Sequence, residues 1–128
     1  MKYTIDRAKL VFGGGRYGKI LGPTQLLNQN GYMCCLGQIC MQDGVDAGAL
    51  ARKGTPKFVS ERHLPDDHWL LEKNKEGYTT DSDIAVQMME TNDNKFCSLE
   101  EREELLILLA ASVGHELAFV GEYPAGVI

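Results

Sequence analysis

The stretch SLEEREELLILLAASVGHELAFV, residues 98–120, changes periodicity partway along and so sets the fold class. Ser98-Leu99-Glu100-Glu101 is a capping box: a serine hydroxyl accepts from the amide three residues on, and the glutamate there accepts in return. Glu100, Glu101, Glu103 and Glu104 crowd the first turns, where negative charge complements the helix dipole. The spacing predicts a helix to about Val113, stopped at Gly114, where glycine tolerates a left-handed backbone. His115 to Val120 then alternates as a strand does, with Leu117 and Phe119 on one side and Ala118 and Val120 on the other. Within the helix, Leu105 to Ala111 is apolar all round, which places it centrally in the core or half covered by a partner.

Working outward, Thr80-Asp81-Ser82-Asp83 opens a second helix whose Ile84, Ala85, Met88 and Met89 share a face, and Thr91 to Asn94 ends it. A helix is expected from about Cys35 to Gln42, with Leu36, Ile39 and Cys40 inward and Gly44 at its end. Thr24-Gln25-Leu26-Leu27-Asn28 and Tyr32-Met33-Cys34-Cys35 flank Asn30-Gly31 and read as a small hairpin. Residues 43–80 carry little periodicity, with a short helical turn expected from Pro65 to Leu71. Residues 4–12 read as a short helix in which Thr4 caps and Ile5, Ala8 and Phe12 share a face, in preference to a strand through Lys9 to Phe12. The expected architecture is α+β: a single helix-rich domain over residues 1–128 with a small antiparallel sheet.

The chain of 128 residues is long enough for one core. No apolar run reaches the ~18 residues that span a bilayer. The first residues lack the apolar core of a signal peptide, so a cytosolic protein with no membrane partner is expected. Cys34, Cys35, Cys40 and Cys97 then read as reduced thiols. The net charge of −5 argues against sequence-independent nucleic-acid binding. It is unevenly spread: residues 1–62 sum to +5 (nine Lys/Arg, four Asp/Glu) and residues 63–128 to −10 (four Lys/Arg, fourteen Asp/Glu). The basic half suits an anion pocket, and the two halves also suit pairing within or between subunits.

Gly13-Gly14-Gly15-Arg16-Tyr17-Gly18-Lys19-Ile20 matches the phosphate-binding loop pattern except at its last position, where Ile20 stands in place of the Mg²⁺-holding hydroxyl. Leu21-Gly22-Pro23 follows, which disfavours the helix that such a loop opens in nucleotidases. The candidate ligand site therefore binds an anion without cleaving it. Gly13, Gly14 and Gly15 offer backbone N–H groups, Arg16 and Lys19 offer charge, Tyr17 stacks on a base, and Arg7 assists. The plainer reading of the glycines is a turn between a helix and a hairpin. No catalytic residue, metal or cofactor is assigned. Cys34, Cys40 and Cys97 with a histidine make a weak zinc pattern, and small buried side chains are the better account. Asp66, Asp67 and His68 beside Trp69, and Asn92-Asp93-Asn94, are lesser candidates for a ligand rim.

The order of a Gly-rich basic turn, a hairpin and then Tyr32-x-Cys34-Cys35-Leu36-Gly37-x-Ile39-Cys40 resembles a group of small proteins of phages and bacterial genomes. The resemblance covers residues 7–40, and 80–94 loosely. It implies an origin rather than an activity: a small phage protein acting on host defence in the host cytoplasm. The leading expectation is a non-enzymatic protein that sequesters a small anionic, nucleotide-type ligand. The alternatives are a module that captures a host protein through its acidic half and the Leu105–Ala111 helix, and a small cysteine- or zinc-dependent enzyme. The apolar helix and the opposed charges also favour a homo-oligomer.

Overall fold

In the computed structural model, which describes residues 1–13 and 24–123, the chain begins with a strand. Lys2–Asp6 forms β1, followed by a 3₁₀ turn at Arg7–Lys9. Further along the chain come α1 (Cys35–Gln42), α2 (Ala47–Leu50) and a 3₁₀ turn at Pro56–Phe58. The remaining elements are β2 (Leu71–Lys73), β3 (Thr79–Asp81), α3 (Asp83–Asn92), α4 (Leu99–Ala111) and β4 (Glu116–Val120). The fold is α+β with a small antiparallel sheet, β2–β3, and a separate parallel pair, β1–β4. Among the described residues no helix is long and apolar enough to cross a membrane.

The helix expected over residues 4–12 is corrected to a strand and a turn. β1 pairs in parallel with β4, in the register Tyr3↔Leu117 and Ile5↔Phe119. Tyr3 and Ile5 are buried while Lys2 and Thr4 are exposed, a period of two. Ala8, which the helical reading put on the inner face, is exposed. Asp6 rather than Thr4 is the cap, accepting from the Ala8 amide at 2.9 Å. Burial against a strand more than a hundred residues away outweighs the weak local helical spacing.

α1 seals the outer edge of β1. Gln42 accepts from the Thr4 amide (2.8 Å) and donates to its carbonyl (2.7 Å). Gln38 does the same for Asp6, at 2.7 and 3.0 Å. Four helical residues rise about 6 Å and two strand residues about 6.6 Å, so glutamines spaced i, i+4 meet strand residues spaced i, i+2. The edge that would otherwise invite another strand is closed by side-chain amides.

The expected hairpin at residues 24–35 is corrected in part. Its turn forms: Asn28 N–H donates to Tyr32 O at 2.8 Å, and Gly31 takes φ +84°. Beyond the turn the flanks exchange only the bond from Cys34 N–H to Gln25 O (3.3 Å), and no ladder follows. Leu27 bridges to Ala51 and Met33 to Leu10 instead, both in parallel. The hairpin that does form is β2–β3, joined by Asn74-Lys75-Glu76-Gly77, with the same hydrogen bonds as Asn28-Gln29-Asn30-Gly31. Pro65 to Leu71 forms consecutive turns rather than a helical turn.

The remaining helices follow their sequence signals. Ser82 caps α3, and the full Ser98–Glu101 capping box opens α4. Ala85 and Met88 of α3 and Leu106 and Ala110 of α4 are fully enclosed, packed with Leu36, Ile39 and Ile5 in one core. α4 is half covered: Leu105 (42%) and Leu108 (65%) face outward.

Candidate functional site

The segment 14–23 lies outside the described residues, and with it Gly14, Gly15, Arg16, Tyr17 and Lys19. The groups that hold its two ends are described, and they converge on the junction between α3 and α4. Asn92 closes α3, Asp93 is its C-cap and Arg102 lies in the first turns of α4. At the entry to the loop, Gly13 N–H donates to Asn92 O (3.2 Å). Arg102 Nη1 donates to both Gly13 O and Asn92 O, at 2.9 Å each. At the exit, the amide and hydroxyl of Thr24 donate to the Asp93 carboxylate at 3.2 and 3.0 Å. The Asn92 amide ties both ends together, donating to Val11 O and Thr24 Oγ1, each at 3.1 Å. The two described residues that flank the segment, Gly13 and Thr24, are thus held by polar groups at one junction.

Arg102 is the least ordinary part of this clamp. Its exposure is 0%, and among the described residues no carboxylate pairs with it. Its Nε donates to Cys97 O (3.1 Å), its guanidinium lies 5.3 Å from the centre of the Phe12 ring, and Nη2 has no hydrogen-bond partner. Burial pushes its pKa down, partly offset by the negative charge of Asp93. A buried cation thus lies against Gly13, the first residue of the Gly-rich motif.

Two residues expected in the ligand site have protein partners. Arg7 forms a bidentate pair with Glu103, at 2.9 and 2.7 Å, and donates to Gly121 O at 3.0 Å. Tyr123 donates to the same carboxylate, and the pair raises the Arg7 pKa. The amide of Gly13 is given to Asn92. Arg7–Glu103 also joins the basic half of the chain to the acidic half within one molecule.

Beside the clamp lies a cleft of about 570 Å³ lined by Thr24, Cys34, Gly54, Thr55, Val86, Met89, Glu90, Asn92, Asp93 and Asn94. That volume is in the range of small-molecule sites, about 300–1,000 Å³. Asn92-Asp93-Asn94, a lesser candidate in the sequence, thereby becomes central. Arg102 was hidden inside an acidic helix start, where its charge reads as one member of a solvated face.

A second polar cluster pins β1 to the end of α1. Tyr3 donates to Asp43 Oδ2 (2.7 Å), Trp69 Nε1 donates to Tyr3 (3.0 Å), and His68 Nε2 lies 2.6 Å from the same Asp43 oxygen. The Leu70 amide donates to His68 Nδ1 (3.1 Å), so the ring proton sits on Nε2 and points at Asp43. Burial and the bond to Asp43 push the Tyr3 phenol up to about 12. Both nitrogens of His68 are engaged, and the cluster fastens the fold. His68 therefore faces inward, while Asp66 pairs with Lys73 at the surface.

Cys34, Cys35 and Cys40 are buried free thiols. Burial raises Cys34 to about 11, Cys40 to about 12 and Cys35 well above its ordinary value, the opposite of what a thiolate nucleophile requires. Among the described residues no group of three or more His, Cys, Asp or Glu is placed to hold a metal. These raised values predict an alkaline weakness. Unfolded thiols ionise near 9 while the folded ones keep their protons, so above pH 9 the unfolded state binds fewer protons. Stability is full below that pH and is lost as pH rises toward 11–12, by about 1.4 kcal/mol per pH unit for each such group. Urea midpoints should hold between pH 7 and 8 and fall steadily above 9; a midpoint unchanged to pH 11 contradicts the burial of these thiols.

Comparison with protein-family models, with curated proteins and with solved structures yields no match for this chain.

Proposed function

We propose that the protein binds a small phosphate-bearing ligand on the Gly13–Lys19 loop and does not cleave it. The observation that carries this reading is the clamp: Asn92, Asp93 and the buried Arg102 hold the two residues, Gly13 and Thr24, that bound a segment carrying Gly14, Gly15, Arg16 and Lys19. Backbone amides and two cations suit a phosphate, and Ile20 leaves the loop without the hydroxyl that would hold Mg²⁺. On the resemblance of residues 7–40 to small phage and bacterial proteins, the proposed setting is the cytoplasm of an infected cell, where sequestering a nucleotide signal counters host defence.

The test is thermal unfolding of the full chain with a panel of linear and cyclic nucleotides. Occupancy at ~100 Kd stabilises by about 2.7 kcal/mol, a shift of several degrees for a domain of this size. The shift should vanish in the Arg16→Ala/Lys19→Ala double variant. No shift with any nucleotide removes the support for this reading.

A second reading, capture of a host protein or of a second copy of the chain, is favoured by the exposed Leu105 and Leu108 on α4 beside Glu104. Under it, reversing Glu100, Glu101, Glu103 and Glu104 to Lys abolishes partner capture while the Arg16/Lys19 variant keeps it. Because Glu103 also holds Arg7 and Glu101 closes the capping box, Glu100 and Glu104 are reversed without them as a folding control.

A further inference from the structure

Asn30 differs from the other asparagines of the chain. Asn28, Asn74 and Asn94 each accept backbone amides on Oδ1, which holds their side chains in place. Asn92 is buried, with Oδ1 accepting from Cys35 N–H and Nδ2 donating to Val11 O and Thr24 Oγ1. Asn30 is exposed at the tip of the Asn28-Gln29-Asn30-Gly31 turn, and its side chain makes no hydrogen bond with a described residue.

The residue that follows makes this freedom chemically consequential. Attack of the next residue's backbone nitrogen on an asparagine Cγ closes a five-membered ring, and a glycine there has no side chain to obstruct it. The surroundings are open as well: a Cβ built on Gly31 would meet nothing within 4 Å. Gly31 N–H donates to Asn28 O at 3.1 Å, and that bond has to open first. Gln29, Asn30 and Gly31 are all exposed, so the tip can open without disturbing the core.

We propose that Asn30 is a modification site at which the folded protein deamidates, with water as the only co-reactant. The Gly31 nitrogen gives its proton to solvent and bonds to Asn30 Cγ. The Cγ–Nδ2 bond breaks, Nδ2 takes a proton from solvent and leaves as ammonia, and a succinimide ring remains. Water opens the ring at either carbonyl, giving aspartate or isoaspartate at position 30. Both products add one negative charge.

The two products act differently on the fold. The Asn74-Lys75-Glu76-Gly77 turn has the same hydrogen bonds with Glu76 in the place of Asn30, so an acid is compatible with this geometry. Isoaspartate instead routes the backbone through the former side chain and lengthens it by one carbon. The bonds from Asn28 N–H to Tyr32 O and from Gly31 N–H to Asn28 O cannot both survive the longer path. Directly beyond the turn, Met33 donates to Lys9 O (2.9 Å) and accepts from Val11 N–H (3.0 Å). The isoaspartyl form therefore loosens the contact between the chain that follows β1 and the chain that enters α1.

The experiment ages the folded full chain at mildly alkaline pH and follows it by peptide mapping that separates aspartyl from isoaspartyl products. Asn30 should convert about tenfold or more faster than Asn28, Asn74, Asn92 or Asn94. Asn30→Gln keeps an amide but needs a six-membered ring, so conversion at that position should fall by about tenfold or more. Glu76→Asn places an Asn-Gly pair in the matching turn and should convert at a rate similar to that of Asn30. Asn30→Asp should melt with the wild type, and the isoaspartyl fraction of aged protein should melt below it. If Asn30 converts in urea but stays intact in the folded chain, the turn protects it and the proposal is overturned. Conversion of the other asparagines at the same rate as Asn30 would overturn it equally.

Discussion

Gly37→Ala is expected to destabilise the protein by at least about 3 kcal/mol, because a methyl group there has no space and the obstacle is backbone. A Cβ on Gly37 would lie 1.9 Å from Leu26 O and 2.8 Å from its carbonyl carbon. Leu26 cannot retreat easily: it is fully buried, and its amide is held by Lys53 O at 2.9 Å. A domain with ~5–15 kcal/mol of total stability would lose a large part of it. Urea unfolding followed by circular dichroism reads this directly. A variant within 1 kcal/mol of the wild type would mean that α1 does not approach the Leu26 backbone as described. The glycine of the Cys-Cys-Leu-Gly segment thus acquires a physical reason, the close approach of a helix to an extended chain.

Arg102→Ala should cost about 3–5 kcal/mol. The guanidinium satisfies the carbonyl oxygens of Gly13, Asn92 and Cys97. Asn92 O keeps the Gly13 amide, but the buried Gly13 O and the partly buried Cys97 O lose these bonds, and a cavity opens beside Phe12. Arg102→Lys should recover only part of the loss, since an ammonium on a single stem cannot span three carbonyls in one plane. Equilibrium unfolding gives the total, and amide hydrogen exchange at Gly13 shows whether the loop's entry is released first. A surface-like cost below 0.5 kcal/mol for Arg102→Ala would contradict the clamp.

The elements legible in the sequence are those whose signals are local. α3 and α4 announce themselves through Ser82 and Ser98, and α1 begins and ends where Cys35 and Gln42 were expected to place it. β4 showed its alternation, but its partner did not show at all, because parallel pairing with β1 joins the two ends of the chain. β1 was misread since Ile5, Ala8 and Phe12 happen to fall at helical spacing. The β2–β3 hairpin was missed because each strand is only three residues long, too short for alternation to register.

The site divides in the same way. The Gly-rich loop stood out as a motif, and Asn92-Asp93-Asn94 as a polar break between helices. What the sequence did not disclose is that they meet. Arg102 sits among four glutamates, where nothing local distinguishes a buried arginine from a solvated one. Asp43, which gathers Tyr3 and His68, lies in an unremarkable Asp-Gly helix end.

The central claim is that a phosphate-bearing ligand binds on the loop held by Asn92, Asp93 and Arg102. Its most direct test is a titration of the ¹⁵N-labelled full chain with ADP, GDP and pyrophosphate, followed by amide and arginine side-chain resonances. The account predicts saturable shifts at Gly13 to Lys19, Thr24 and Asn92 to Asn94, with α4 residues Leu105 and Leu108 unmoved. A spectrum that stays unchanged to millimolar ligand, or that moves only on the outer face of α4, contradicts it.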